Sequence, residues 1–351
     1  MKKHAIIPIF IPHRGCPNDC VFCNQREITA RTDDVTPADV REILDTWLST
    51  LSGVETVEAA FYGGSFTGLP IEEQSRYLAV AKEYKDAGRI DRIHLSTRPD
   101  YIDRPILDNL KEYGVDIIEL GVQSFDDEVL KFSNRGHDTA CVYEACRLIR
   151  EYGFTLGIQL MIGLPGDSAE KCIRSAKETA RIHPELARLY PTIVLDQTAL
   201  YAQYKSGSYQ PLSREEAVWR TKEMYKILDD AGITILRVGL KSTDIIGEGG
   251  AINGGTYHPA FRQLVEGAIA RERIEALLHG IAEAPVLAEA PDVPARRKVD
   301  VFSNRKWYSN MIGNRAANRL YFEQKYPELN IRYRIDEVLA DGRFRIEVKE
   351  N

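Results

Sequence analysis

The chain has 351 residues, 44% of them hydrophobic, enough to bury one large core or two modest ones. Its net charge of −6 gives it as a whole no general attraction for nucleic acid or an anionic membrane. Six cysteines are too sparse for a disulfide scaffold, and the first apolar run is too short and too closely bounded by proline for a secretion signal or membrane span, so a cytoplasmic protein without membrane contact is expected.

Strands are predicted at 5–11, 56–62, 92–97, 116–122, 155–161 and 187–194. Helices follow near 37–51, 71–87, 104–113, 138–152, 167–182 and 213–231. Strands alternating with amphipathic helices imply an α/β fold with a parallel sheet, and six such units make a partial (β/α)6 TIM-like barrel. In that architecture chemistry gathers at the C-terminal strand ends, where this sequence places Cys16, Gly63-Gly64-Ser65, Arg98-Pro99-Asp100, Gln123-Ser124 and Gly163-Leu164-Pro165-Gly166. Beyond residue 240 the pattern loosens, and five glycines between Gly247 and Gly255 suggest a hinge or mouth loop. The expected division is a core barrel over 1–240 and a smaller α+β extension over 241–351, with a basic helix and a terminal β-hairpin around Asp341-Gly342.

Cys16, Cys20 and Cys23 lie on one loop after the first strand. A cubane iron-sulfur cluster ordinarily takes four cysteine thiolates, so three would leave one iron open to a chelating ligand. A zinc site completed by His13 is the competing reading, although such sites usually draw ligand pairs from two separated knuckles. Cys141, Cys146 and Cys172 do not converge and read as packing residues.

The spacing Cys-x3-Cys-x-aromatic-Cys, with Phe22 as the aromatic, resembles the defining motif of the radical S-adenosylmethionine (SAM) superfamily. Tyr62-Gly63-Gly64-Ser65-Phe66-Thr67, Ser96-Thr97-Arg98-Pro99-Asp100-Tyr101, Glu119-Leu120-Gly121-Val122-Gln123-Ser124, Asn134-Arg135-Gly136-His137, Gly163-Leu164-Pro165-Gly166 and Tyr190-Pro191-Thr192 with Leu200-Tyr201 extend the likeness over most of 4–240. It is nearest the branch of the Elongator catalytic subunit, with coproporphyrinogen-oxidase-like enzymes more distant. The resemblance implies that Cys16, Cys20 and Cys23 are catalytic and hold a 4Fe-4S cluster, whose open iron binds SAM through its amino and carboxylate groups. Reductive cleavage would then give a 5′-deoxyadenosyl radical that abstracts hydrogen from substrate, with a reductant such as flavodoxin or ferredoxin.

By the same resemblance Gly63 and Gly64 approach the methionine ammonium, and Ser65 stands where many relatives carry Glu. Gln123 and Arg135 contact the ribose and the methionine carboxylate. Ser96 and Gln159 are weaker ribose candidates, and Ile162 and Gly163 lie near the adenine. His137 is read as a proton donor or as a helix cap.

Members of that branch modify the wobble uridine of transfer RNA, but they carry an acetyltransferase domain that the residues after about 240 are too few to form. The radical chemistry is therefore expected to transfer and the product is not. Between Arg296 and Arg334 ten Lys and Arg face three Asp and Glu. There Trp307, Tyr308, Tyr321 and Phe322 alternate with Arg305, Lys306, Arg315 and Arg319, so tRNA is a possible partner of this segment. The bland alternative is an ordinary amphipathic helix with solvated basic residues and its aromatics packed on the barrel. A small-metabolite or porphyrin-like substrate, and a non-catalytic cluster-bearing RNA-binding protein, are the other readings. Asn24 and Gln25, where coproporphyrinogen dehydrogenase has a further cysteine, count against porphyrin.

Overall fold

The computed structural model describes residues 4–11, 16, 20–23, 35–240, 252–282 and 296–349. The chain divides into two compact units: Met1–Arg220 with Ile227–Pro259, and Thr221–Lys226 with Ala260–Asn351.

The first unit begins with β1 (His4–Ile11), α1 (Pro37–Thr50), β2 (Thr56–Gly63), α2 (Ile71–Asp86), β3 (Arg92–Thr97), α3 (Arg104–Glu112) and β4 (Ile117–Gln123). It continues through α4 (Asp127–Phe132), α5 (Thr139–Glu151), β5 (Thr155–Ile162), α6 (Ala169–Ile182), β6 (Leu186–Pro191), β7 (Ile193–Leu195), α7 (Ala199–Ser206), α8 (Arg214–Asp230, of which Thr221–Lys226 counts with the second unit) and β8 (Thr234–Val238). Side-chain caps set most helix starts. Asp103, Asp126, Asp138, Ser168, Thr198 and Ser213 each accept a backbone N–H of the first turn, and Thr36 forms a reciprocal box with Asp39, so donors the helix cannot satisfy itself are paired.

β1, β2, β3, β4, β5, β6 and β8 pair in that order, every pair parallel, as a curled half-barrel. The six predicted strands are present, and β8 is a seventh whose apolar run Arg237 interrupts. The predicted strand 187–194 is split. Thr192 donates its N–H to the Ile162 carbonyl at 2.9 Å, and β7 leaves the sheet to pair antiparallel with β9 (Ile252–Gly255). The proposed glycine hinge lies largely outside the described residues, as do His13, Asn24 and Gln25.

Acidic residues stitch the N-terminal ends of the strands. Asp91 accepts the Val57 N–H at 2.7 Å, Asp116 accepts that of Ile93 at 2.7 Å, and Glu185 accepts that of Leu156 at 2.9 Å. Each acid stands just before or at the start of one strand and caps the first residues of a preceding one, satisfying an N–H the ladder leaves open.

In the second unit α9 (Phe261–Ala282) precedes β10 (Arg297–Ser303), α10 (Arg305–Ile312), α11 (Ala317–Lys325), β11 (Leu329–Ile335) and β12 (Arg345–Lys349). The terminal hairpin is corrected here: β11 and β12 do not pair with each other but flank β10, β11 parallel and β12 antiparallel to it. β10 offers buried Val299 and Val301 to the core and so takes the centre, while the more exposed β11 and β12 form the edges. The turn signal at Asp341-Gly342 described only the local chain. Trp307 and Phe322 are buried, and Tyr308 and Tyr321 pack against the same core as Met311, Ile274 and Val299. These aromatics therefore belong to the core of the second unit itself, which corrects the expected packing on the barrel, while Arg315 and Arg319 stay exposed. No helix among the described residues is long and apolar enough to cross a membrane.

Candidate active site at the cysteine loop

Cys20 is buried, and Cys16 and Cys23 are partly exposed. The loop is anchored on both sides, since Val21 donates its N–H to the Ser133 carbonyl at 3.1 Å and its own carbonyl accepts from Leu200 N–H at 2.7 Å. Phe22 packs with Tyr201 and Tyr204 on a cluster of Val21, Val194, Leu200 and Tyr209. Phe22 and the Leu200-Tyr201 motif, far apart in sequence, thus meet as the loop's hydrophobic support.

Two guanidinium groups converge on Cys20. Arg135 Nη1 stands 3.1 Å and Arg98 Nη1 3.8 Å from its Sγ. Arg98 is held by a fork on Asp100, at 2.9 and 2.8 Å, and also donates to the Arg135 carbonyl. Arg135 Nη2 donates to the Gly121 carbonyl at 2.5 Å. In sequence Arg98 stands only within the Arg98-Pro99-Asp100 run at a strand end, with no role assigned to it; that run directly after a strand was the available signal. His137 is buried close by, and its imidazole is held down to about 4, first by burial and then by the Arg135 charge. Its neighbour Asp138, not His137, caps α5.

Gly63 and Gly64 join the ends of β1 and β2. Gly63 has φ +118°, and a Cβ there would lie 2.3 Å from the Ile11 carbonyl oxygen, a conformation and an approach open only to glycine. Gly64 donates its N–H to that same oxygen at 3.2 Å. The Ser65 hydroxyl is buried, paired with Thr97 Oγ1 at 2.7 Å and accepting Arg98 N–H at 3.2 Å. Ser65 thereby ties the β2 end to the β3 end.

Inside the half-barrel runs a buried ion network that the sequence reading missed. Glu119 is fully buried and receives Arg188 Nε and Nη2, both at 2.6 Å, His94 Nε2 at 2.6 Å and Gln159 Nε2 at 3.2 Å. Burial alone would raise its pKa, but the His94 hydrogen bond and the Arg188 charge bring it to about 2. His94 also contacts Glu58 at 3.2 Å, and burial of its ring is outweighed by the two carboxylates, which raise it. Gln159 Nε2 donates to Ser96 Oγ at 2.9 Å, so Ser96 and Gln159 are brought together over this network. Arg188 reaches Tyr62 Oη at 2.7 Å and Tyr190 Oη at 3.4 Å. A glutamate inside an apolar strand run was the signal.

Ile162 is buried, and Gly163 lines a cavity of about 480 Å³ with Leu164, Asp167, Gln203 and Tyr209. Asp167 Oδ2 accepts the Gly163 N–H at 2.8 Å, and the Gly163 carbonyl accepts Tyr209 O–H at 2.6 Å. Burial raises the Asp167 carboxyl above its ordinary range. The lining of this cavity includes none of the three cysteines.

The surroundings of the cysteine loop fit a cluster with a chelating ligand. Among the described residues Arg135 Nε and Gln123 Oε1 are buried without a hydrogen-bond partner, and the two side chains approach the same backbone: a Cβ at Gly121 would stand 3.0 Å from Gln123 Nε2 and 3.4 Å from Arg135 Nη2. Gln123 holds φ +69°, a strained backbone of the kind concentrated at ligand sites. Among the described residues no three His, Cys, Asp or Glu side chains gather around one ion position, and a cubane does not require it, because each thiolate bonds a different iron.

Residues 10–178 match the family described as the Radical SAM superfamily, and residues 184–271 match the Radical SAM C-terminal domain. The chain is 26% identical over 258 residues to a tRNA uridine(34) acetyltransferase of Methanocaldococcus jannaschii, covering 61% of this chain and 47% of that protein. It is 29% identical over 254 residues to human Elongator complex protein 3, covering 59% and 46%. The chain spans about half the length of these curated relatives. The structure of archaeal Methanocaldococcus infernus Elp3 with an N-terminal deletion superposes with a TM-score of 0.61 at 22% identity, over 85% of this chain and 71% of that one, a likeness of fold.

Proposed function

Because the chain belongs to the radical SAM superfamily and is an enzyme of that type, we propose that Cys16, Cys20 and Cys23 hold a 4Fe-4S cluster with SAM at its open iron, and that the substrate is a transfer RNA. When bound, the cluster and SAM would supply an electron to the sulfonium and a 5′-deoxyadenosyl radical for hydrogen abstraction.

The observation that carries this reading is the pair of guanidiniums on Cys20 Sγ. Hydrogen bonds to a ligand sulfur tune a cluster's potential, and the Arg135 Nε, without a partner among the described residues, can meet a carboxylate. Gln123 presents an acceptor for a hydroxyl, and the carbonyls of Gly63 and Gly64 at the β2 end would accept from an ammonium group. Gly163 borders the cavity beyond β5, a place for a flat ring, and buried Ile162 precedes it at the strand end. Buried Val21, Leu200 and Tyr209 keep water from one side of the loop, and the partner reductant would approach partly exposed Cys16 and Cys23.

The names of the relatives favour a tRNA uridine as the substrate, and the proposal concerns the radical step alone. The exposed Arg315, Arg319, Arg332 and Arg334 of the second unit offer phosphate contacts. Anaerobic reconstitution with iron and sulfide, followed by dithionite and SAM, is expected to yield 5′-deoxyadenosine; a protein that takes up zinc and cleaves no SAM would refute the cluster reading. Mass spectrometry of tRNA nucleosides from a deletion strain tests the substrate, an unchanged profile counting against RNA.

A further inference from the structure

We propose that Tyr62 and Tyr190 are the substrate-reading residues of the barrel interior: two phenol O–H donors, held by one guanidinium, that select a base bearing two carbonyl oxygens over one bearing an amino group. The inference rests on the radical SAM and tRNA reading above and names the residues that would discriminate the base.

Hydrogen-bond polarity carries the argument. A guanidinium N–H can only donate, so the Arg188 contacts to Tyr62 Oη, at 2.7 Å, and Tyr190 Oη, at 3.4 Å, make both phenol oxygens acceptors toward Arg188. Each phenol proton must then point elsewhere, and among the described residues neither has an acceptor. Burial outweighs the opposing Arg188 charge and, with a smaller contribution from Glu119, raises both phenols above their ordinary range, so that they stay protonated. Arg188 cannot turn away to accept a different arrangement, because Glu119 holds its Nε and Nη2 in a fork and is itself held by His94. Two donors of fixed sense therefore remain on the partly exposed rings of Tyr62 and Tyr190.

A flat apolar surface adjoins them. Phe10, which pairs in register with Tyr62, is 39% exposed, with its ring centroid 6.2 Å from that of Tyr62. An unstacked base can lie against such a ring while its edge meets hydrogen-bonding groups. Uracil offers two carbonyl acceptors; cytosine replaces one by an amino donor that would confront a phenol donor. A site built for one polarity rejects the other because its buried polar groups are left unpaired.

The test uses the anaerobically reconstituted protein with S-adenosylhomocysteine and two anticodon stem-loop RNAs that differ only in uridine or cytidine at the first anticodon position, with affinity read by fluorescence anisotropy. Wild type is expected to prefer the uridine RNA. Tyr62→Phe and Tyr190→Phe should each weaken the uridine RNA about three- to tenfold; the variant that loses the donor to the carbonyl common to both bases should weaken the cytidine RNA equally, and the other should leave it unchanged or tighten it, so that the preference collapses in that variant and in the double variant. Variants that keep the wild-type affinities and preference overturn the assignment while the enzyme reading stands. Wild type that binds neither RNA overturns the tRNA reading and this assignment with it, and calorimetric binding of S-adenosylhomocysteine by the same sample shows whether the SAM site survives that result.

Discussion

Arg135 Nη1 lies 3.1 Å from Cys20 Sγ, and both side chains are buried. Lysine at 135 would keep a charge but not the fork that spans the sulfur and the Gly121 carbonyl. Arg135→Lys is therefore expected to slow 5′-deoxyadenosine formation about 10–100-fold, the usual effect of removing a partner of a metal ligand, with the far-UV circular dichroism unchanged. Equal rates in the two proteins would show that Arg135 does not act on the cluster.

Glu119→Gln leaves Arg188 and His94 without their shared counter-charge. Breaking a buried pair on one side should lower stability by about 3–5 kcal/mol, read as a fall in the urea midpoint. The double change Glu119→Leu with Arg188→Met removes both charges and should lose less; a double change as damaging as the single one would mean the network stabilises through more than charge balance.

Acid should weaken the first unit in two steps. His137 is lowered from 6.5 to about 4 in the folded chain, so the unfolded chain binds more protons between those values and stability falls as pH drops through that window. Glu119 is lowered from 4.5 to about 2, so its contribution is complete above 4.5 and is lost as pH falls toward 2. His94 is raised above 6.5 and acts oppositely, losing its contribution as pH rises through its folded value. Urea midpoints between pH 3 and 8 check the signs: Glu119→Gln should flatten the lower limb, and a profile with no acid limb would contradict the assignment.

Gly63→Ala forces a Cβ against the Ile11 carbonyl oxygen at a φ that side chains rarely adopt. A loss of about 1–3 kcal/mol is expected, together with fewer irons bound per chain after reconstitution, since Ile11 leads directly into the cysteine loop. Full iron content in this variant would separate the β1–β2 junction from the cluster site.

Phe322→Ala should cost about 3–5 kcal/mol, because the ring is fully buried between Tyr321 and Tyr326. Thermal unfolding measures it, and a wild-type melting curve would return Phe322 to the surface role that its basic neighbours suggested.

The cysteine loop, the glycine pair and the alternation of strands and helices were legible because each depends on short-range chemistry: ligand spacing, backbone freedom, periodicity. Glu119 and Arg188 were not, because strands buried on both faces read as apolar runs and a charge within one reveals nothing of its partner 69 residues away. Strand order in the second unit was hidden for a related reason. Alternation marks which residues of 331–348 face the core, but not that β10 would come between the two strands.

The stitches made by Asp91, Asp116 and Glu185 stand at the opposite rim from the cysteines. Alignment of neighbouring strands is thus secured where no reaction occurs, and loops on the reactive side can lengthen, shorten or exchange residues without letting the staves slip. Such a division leaves descendants of one scaffold free to acquire new substrates while inheriting the same frame.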